Sequence, residues 1–167
     1  MLSVMDLPGL RPTTDRIRET LFNWLGQDLT GLRCLDLFAG TGAYALESLS
    51  RGAKSATCVD LNAGTDLDSN ARAVAKSMQL NLLPLKIIVG DATKPINSDE
   101  KYDVVFADPP WDLWETRSNE IVQVATQCAN STQDVRVILE APGGFDVPIP
   151  TYVCKLHNDV IYIALLD

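Results

Sequence analysis

The chain has little with which to hold a metal ion. In 167 residues there is a single histidine, His157, and four cysteines, Cys34, Cys58, Cys128 and Cys154. They form no C-x-x-C pair and no zinc-ligand spacing with the histidine, so a metal centre is not expected. Three of the four cysteines lie in strand-like apolar runs, which reads as reduced core thiols of a cytosolic protein. No apolar run approaches the roughly 18 residues that a membrane helix requires. The opening Met1-Leu2-Ser3-Val4-Met5-Asp6 has neither a basic stretch nor a long apolar one, unlike a secretory leader. Repeats, low-complexity stretches and interdomain linkers are absent. Basic residues are in deficit, 14 Lys and Arg against 22 Asp and Glu, for a net charge of −8. That balance opposes general attraction to phosphate, so any nucleic-acid face must be local. What remains, 46% hydrophobic and 22% charged residues, is ordinary for one globular domain with a full core.

Against that background Asp108-Pro109-Pro110-Trp111 stands out. It follows Tyr102-Asp103-Val104-Val105-Phe106-Ala107, an apolar run that reads as a buried strand. A carboxylate and a backbone carbonyl can each accept one N–H from an exocyclic –NH2 group. The prolines have fixed φ and no N–H, which stiffens the segment and leaves it presenting acceptors. The Trp face offers a stacking platform for a base. Taken alone, the segment fits equally well a proline-rich strand exit with a packed Trp.

A second motif separates the two. Leu32–Phe38 runs into a glycine turn, Ala39-Gly40-Thr41-Gly42-Ala43, and Tyr44–Ser50 continues with helical character, which reads as strand, turn and helix. Glycines at 40 and 42 permit a tight turn with a ligand close to the backbone, and the helix start beyond them supplies free N–H groups. The G-x-G-x-x-A spacing is a weak match to a dinucleotide fingerprint. Asp36, however, lies where it would repel a pyrophosphate while tolerating a cationic or zwitterionic ligand. The next strand, Ser55–Asp60, ends in an acid suited to a ribose diol. Together these features favour S-adenosylmethionine over NAD.

The remaining elements follow from periodicity. A helix is expected from Arg11 to Gly26, capped by Thr13 or Thr14, with an apolar stripe of Ile17, Thr20, Leu21, Trp24 and Leu25. Strands are expected at 32–36, 55–60, 85–89, 102–107 and 135–140, with helices at 43–51, 65–79 and 119–129. Two antiparallel strands, 151–157 and 160–166, should close the chain around Asn158-Asp159. The alternation implies a mostly parallel sheet covered on both faces, with ligands at the strands' carboxyl ends. Asp36, Asp60, Asp91 and Asp108 all fall at such ends. Asp60 or Asp91 singly fits a turn or helix cap; the set is hard to attribute to solubility.

Arg11-Pro12-Thr13-Thr14-Asp15-Arg16-Ile17-Arg18-Glu19, then Asp36–Ala43, then Asp108–Trp111, occur in the order and at the spacing of a known family. The chain resembles the bacterial 16S ribosomal RNA guanine-N2 methyltransferases, from about Leu7 to its end. The glycine turn is common to very many methyltransferases and the Asp-Pro-Pro loop to enzymes of several amines; the opening Arg-Pro-Thr segment is the selective part. The resemblance implies one domain over 1–167 with a Rossmann-like, class I methyltransferase fold. Its sheet would be doubly wound, mostly parallel and seven-stranded, with a C-terminal antiparallel hairpin. Residues 1–10 would be the remnant of a basic N-terminal hairpin that family members usually carry, and Trp111 replaces the commoner Tyr or Phe.

The implied cofactor is S-adenosylmethionine, leaving as S-adenosylhomocysteine, with no metal. Its expected contacts are Asp36, Phe38, Ala39, Gly40, Thr41 and Gly42 in the turn, Asp60 on the ribose and Leu61 on the adenine. The resemblance adds Asp91 for the adenine amine and Ala92 for a backbone N–H. Asp108, Pro109, Pro110 and Trp111 would grip the substrate amine. Arg11, Thr13 and Arg16 would face RNA, while Arg18 reads rather as a solvated, paired charge. Trp114 fits either the base pocket or the core, and His157 reads as a hairpin residue without a catalytic partner. The expected partner is 16S ribosomal RNA or the assembling small subunit, for a cytoplasmic monomer without membrane attachment. Open alternatives are methylation of adenine N6 or a protein glutamine, a non-catalytic module binding S-adenosylmethionine or RNA, and, less favoured, an NAD-dependent oxidoreductase.

Overall fold

The computed structural model describes residues 12–62, 64–96, 99–130, 135–142, 152–156 and 159–166, with 12–17, 65, 152–156 and 159–166 described by backbone alone. Five parallel strands form the sheet's centre: β1 (Arg33–Leu37), β2 (Ser55–Asp60), β3 (Leu85–Val89), β4 (Val104–Ala107) and β5 (Val135–Pro142). Their spatial order is β3-β2-β1-β4-β5. Two further strands, β6 (Tyr152–Leu156) and β7 (Asp159–Leu166), pair antiparallel with one another, and β7 pairs antiparallel with β5.

Strands buried on both faces read as apolar runs rather than alternating ones. Cys34, Leu35 and Leu37 of β1, and all four residues of β4, are buried accordingly. One face packs on α1 (Pro12–Leu25), α2 (Ala43–Ser50) and α3 (Thr65–Ser77), through Leu21, Phe22, Leu25, Leu46, Leu49 and Leu67. The other packs on α4 (Trp111–Cys128), through Trp114, Ile121, Val122 and Val124. Strand order reverses between β1 and β4, so the crevice where ligands bind such sheets opens at the carboxyl ends of these two strands.

Several sequence expectations are corrected. α1 starts at Pro12, so Thr13 and Thr14 lie inside its first turn and not at its cap; proline suits a helix's first position, where its missing N–H is no loss. The buried stripe of α1 is Arg18, Leu21, Phe22 and Leu25, at i, i+3, i+4, i+7, while Trp24 is 56% exposed. α4 begins at Trp111 directly after Pro110, eight residues before the expected Asn119. A break at Arg117 (φ −137°, ψ 22°) interrupts it, which hides its first turns from a periodicity reading. β4 is two residues shorter than expected, because Tyr102 bridges to Ala129 and Asp103 is held by Arg33 and Asn130. Residues 1–11 and His157 lie outside the described residues, and Thr13 and Arg16 are described only by their place in α1.

Candidate active site

The turn after β1 is shaped by its backbone. Phe38, a bulky residue, holds a left-handed φ of +63°, and Gly40 and Gly42 follow at +51° and +79°. Such a φ is uncommon for a side chain of this size and is tolerated where the surroundings dictate it. Ala39 N–H donates to the Val59 carbonyl (3.2 Å), and Gly42 N–H donates to the Ala39 carbonyl (2.7 Å). Asn70 Nδ2 donates to the Thr41 carbonyl (3.1 Å), tying the turn to α3. A Cβ placed on Gly42 would meet Leu67 Cδ1 at 2.1 Å, whereas one on Gly40 meets nothing within 4 Å. The turn is therefore packed below and open above.

Two acids brace this turn. Asp60, the last residue of β2, accepts Gly40 N–H (2.9 Å) on one carboxylate oxygen and Asn62 N–H (2.7 Å) on the other. Leu61 beside it is 65% exposed. Asp36 is buried, and its Oδ2 accepts Ala45 N–H (3.0 Å) in the first turn of α2. Burial pushes its carboxyl up to about 8; the Ala45 N–H opposes the rise and the charge of Asp60 adds to it. Asp36 thus sits beneath the turn as a helix anchor instead of facing solvent.

Asp91, two residues beyond β3, accepts Thr93 Oγ1–H (2.6 Å) and Thr93 N–H (3.0 Å). Its other oxygen faces Arg117 Nη1 at 3.2 Å and Lys94 Nζ at 3.8 Å. The Thr93 hydroxyl, then its N–H, then Arg117 hold this carboxyl down at about 2. Ala92 in the same turn is buried. Arg117 also pairs with Glu120, at the break in α4.

The Asp108 segment leaves the sheet beside the glycine turn. Leu37 of β1 and Ala107 of β4 are register partners, so Phe38 and Asp108 depart from neighbouring strands at one level. Pro109 is buried and Pro110 exposed, and Pro110 (φ −50°, ψ 141°) caps α4. Leu113 N–H closes the segment onto the Pro110 carbonyl at 3.0 Å. Trp111 is 55% exposed, while Trp114 is wholly buried and donates its Nε1–H to the Glu140 carbonyl (2.8 Å). Trp114 therefore belongs to the core.

Sequence reasoning missed three groups here. Tyr44 donates its hydroxyl to Glu140 Oε2 (2.7 Å) and stacks on Phe106. Burial, with Glu140 and Asp108 nearby, drives the phenol well above its ordinary value. Glu140 is buried near the end of β5; the rule that singled out acids at strand carboxyl ends would have found it. Arg18 is buried on the inner stripe of α1, contrary to the expectation of a solvated charge, and its i, i+3, i+4 spacing to Leu21 and Phe22 was the available signal. Among the described residues no group of His, Cys, Asp or Glu is placed to hold a metal ion, and no helix is long and apolar enough to cross a membrane.

Comparison with known proteins adds three findings. A family model described as conserved hypothetical protein 95 matches residues 1–151. Ribosomal RNA small subunit methyltransferase D of Escherichia coli is 44% identical over 119 residues, 66% of this chain and 54% of that protein. The chain thus spans about half the length of the curated relatives it matches. Among solved structures, Escherichia coli yhhF superposes with a TM-score of 0.72 at 27% identity, over 94% of this chain and 88% of that one. The Thermus thermophilus 16S rRNA N2 G1207 methyltransferase RsmC, solved with AdoMet and guanosine, has a TM-score of 0.72 at 18% identity. That likeness is one of fold, over 98% of this chain and 45% of that one.

Proposed function

The chain belongs to the conserved hypothetical protein 95 family, and on that premise we propose that it transfers a methyl group from S-adenosylmethionine to the exocyclic N2 amine of a guanine in 16S ribosomal RNA. The observation that carries the proposal is the register of Leu37 with Ala107, which sets the glycine turn and Asp108 side by side at the strand-order reversal. A donor held at one and an acceptor amine held at the other would be adjacent.

The residues present fit the cofactor. The face above Gly40 is open, the α2 N-terminus offers N–H groups, and Asp60 and Asp108 give the crevice a negative field suited to a cation. In this reading Asp60 accepts the ribose hydroxyls and Leu61 covers the adenine. Asp91, fixed by Thr93 and Arg117, takes the adenine amine, with Ala92 supplying a backbone N–H. Asp36 acts from beneath, holding the Phe38-Ala39-Gly40-Thr41-Gly42 turn through Ala45. S-adenosylmethionine, when bound, supplies a methyl group activated by its positive sulfur.

An exocyclic amine on a purine is a poor nucleophile because its lone pair is delocalised into the ring. Asp108 and a backbone carbonyl of Pro109-Pro110 accept its two N–H groups, return electron density to nitrogen and stabilise the positive charge that grows there. Fixing the amine against the open face of the turn supplies the proximity contribution. Trp111, half-exposed at the start of α4, stacks on the base. Arg11, Thr13 and Arg16 of the opening segment supply local contacts to RNA that the net charge of −8 does not. No metal takes part in this reading. The whole is one domain over 1–167, a seven-stranded class I methyltransferase sheet closed by the β6–β7 hairpin, acting as a cytoplasmic monomer on 16S RNA or the assembling small subunit.

The test is to incubate small ribosomal subunits, from a strain lacking its own enzyme of this type, with this protein and labelled S-adenosylmethionine. The RNA is then digested and its nucleosides identified by mass spectrometry. N2-methylguanosine is the expected product. N6-methyladenosine, label in protein glutamine, or no transfer despite cofactor binding would each displace the reading.

A further inference from the structure

The carboxyl ends of β4 and β5 hold a part-buried polar pair, half-buried Tyr44 and buried Glu140, that the proposed transfer leaves without a role. Tyr44 is the second residue of α2, two positions after Gly42. Its ring lies parallel to that of Phe106, with centroids 5.0 Å apart and an interplanar angle of 6°. Phe106 stands two residues before Asp108 on β4. The Tyr44 hydroxyl crosses to β5 and donates to Glu140 Oε2 at 2.7 Å, and the Glu140 carbonyl accepts the indole N–H of Trp114 at 2.8 Å. Trp114 is three residues into α4 from Trp111. One residue of β5 therefore ties together the helix that follows the glycine turn and the helix that follows the Asp108 segment.

Packing alone does not explain this choice. Glu140 is 8% exposed, and a buried carboxylate costs stability unless it is hydrogen-bonded; an apolar residue of similar volume generally stabilises a core at least as well. A hydrogen bond differs from apolar packing in fixing direction as well as contact. Its line here runs between the two segments whose separation the proposed transfer depends on. Register partners Ala107 and Leu139 put Asp108 and Glu140 at one level on neighbouring strands, so a shift of either segment must strain this bond.

We infer that Tyr44 and Glu140 form a positioning pair, which holds the Asp108 segment at a fixed distance from the glycine turn. The inference rests on the methyl-transfer reading for its consequence and on the Tyr44–Glu140–Trp114 geometry for its substance. The methyl-transfer reading assigns neither residue a contact with the reacting atoms. Tyr44 acts through Glu140, and Glu140 acts through α4 and β5 on Asp108.

Tyr44→Phe removes one oxygen and keeps the ring on Phe106. Amide hydrogen exchange should accelerate about ten-fold across 107–114 while β1 and α2 exchange as in the parent protein. In the small-subunit assay kcat should fall about ten-fold or more with KM for S-adenosylmethionine within two-fold, since misplacement by about 1 Å can cost a hundred-fold. Against a Glu140→Ala background, Tyr44→Phe should have no further effect. Unchanged exchange at 107–114, an unchanged kcat, a uniform rise in exchange across the chain, or a full Tyr44→Phe effect in the Glu140→Ala background would each overturn the pairing. Should Glu140→Ala fail to fold, Tyr44→Phe alone decides. Should the parent protein transfer no methyl group to small subunits, the proposed function falls, while exchange at 107–114 still decides the pairing.

Discussion

The backbone N–H of Gly40 donates to the Asp60 carboxylate across 2.9 Å, so the turn after β1 and the end of β2 are one structural unit. Asp60 therefore has two tasks in the proposed function: one oxygen steadies the turn while the carboxylate as a whole receives the ribose. Asp60→Ala should weaken S-adenosylhomocysteine binding by at least ten-fold, given that a hydrogen bond to a charged group contributes about 1.5–3 kcal/mol. Asp60→Asn, which keeps a single acceptor oxygen, should fall between the two. Titration calorimetry on the three proteins checks the order, and equal affinities would remove Asp60 from the ribose role.

The two glycines of the turn should respond differently to alanine. At Gly42 the added Cβ meets Leu67 Cδ1 at 2.1 Å, so the wholly buried Leu67 side chain must shift within the core to admit it. A left-handed φ and overpacking together should lower stability by roughly 2–4 kcal/mol. At Gly40 the Cβ enters open space, so the left-handed φ alone costs about 1–2 kcal/mol. That open space is where the cofactor is proposed to lie, so Gly40→Ala should lose affinity for S-adenosylhomocysteine out of proportion to its stability. Thermal midpoints and calorimetric affinities measured on both variants should rank them in opposite orders.

Asp36 and Asp91 should shape stability at different pH. Burial first, with a contribution from Asp60, raises the folded-state pKa of Asp36 to about 8, against an ordinary value near 3.9. The folded protein then holds a proton that the unfolded chain releases between these values. The contribution of Asp36 is fully present below about pH 4 and is lost as pH rises towards 8. Asp91 has the opposite sign: Thr93 and Arg117 hold it at about 2, so its contribution is present above about pH 4 and lost as pH falls to 2. Asp36→Asn keeps an oxygen for Ala45 N–H and carries no titrating group. Its urea-unfolding free energy should decline less steeply than the parent's between pH 5 and pH 8. Parallel slopes would place the Asp36 carboxyl in its ordinary range.

Much of this architecture was readable because the sheet is buried on both faces. Ser55–Asp60 is delimited to the residue by the apolar run of a buried strand, Leu85–Val89 by apolar and β-branched residues although it is a part-exposed edge strand, and the acids at strand carboxyl ends mark the edge where the crevice lies. What stayed hidden depended on facing. Trp24 and Phe22 are both aromatic, and only the packing of α1 on the sheet decides that Phe22 goes in and Trp24 out. The charge of Arg18 suggests solvent, although it shares a buried stripe with Leu21 and Leu25. The first turns of α4 were masked by two prolines, a polar stretch and the break at Arg117. Asp36 was legible as an acid beside the turn, but that it anchors Ala45 from below is a fact of tertiary packing. Tyr44 and Glu140, 96 positions apart, carried no joint signal at all.

Asp108 offers the sharpest separation of binding from chemistry. It follows β4, level with Phe38, and the cofactor contacts proposed above come from β1, β2 and the turn after β3. Truncating it removes the proposed acceptor for the substrate amine without touching the Gly40–Asp60 unit or the Asp91–Thr93 turn. Asp108→Ala should therefore abolish detectable methyl transfer while leaving S-adenosylhomocysteine affinity within a few-fold. Asp108→Asn is the more exacting variant. Its side-chain oxygen still accepts one N–H, but it carries no charge to stabilise the cationic nitrogen, and loss of a single preorganised electrostatic partner typically costs about 10²–10³ in kcat. A fall of that size in kcat with unchanged cofactor affinity is expected from single-turnover assays. If both variants lose cofactor affinity and turnover equally, Asp108 supports the fold of the crevice, and the acceptor for the amine must be sought elsewhere along the β4–β5 edge.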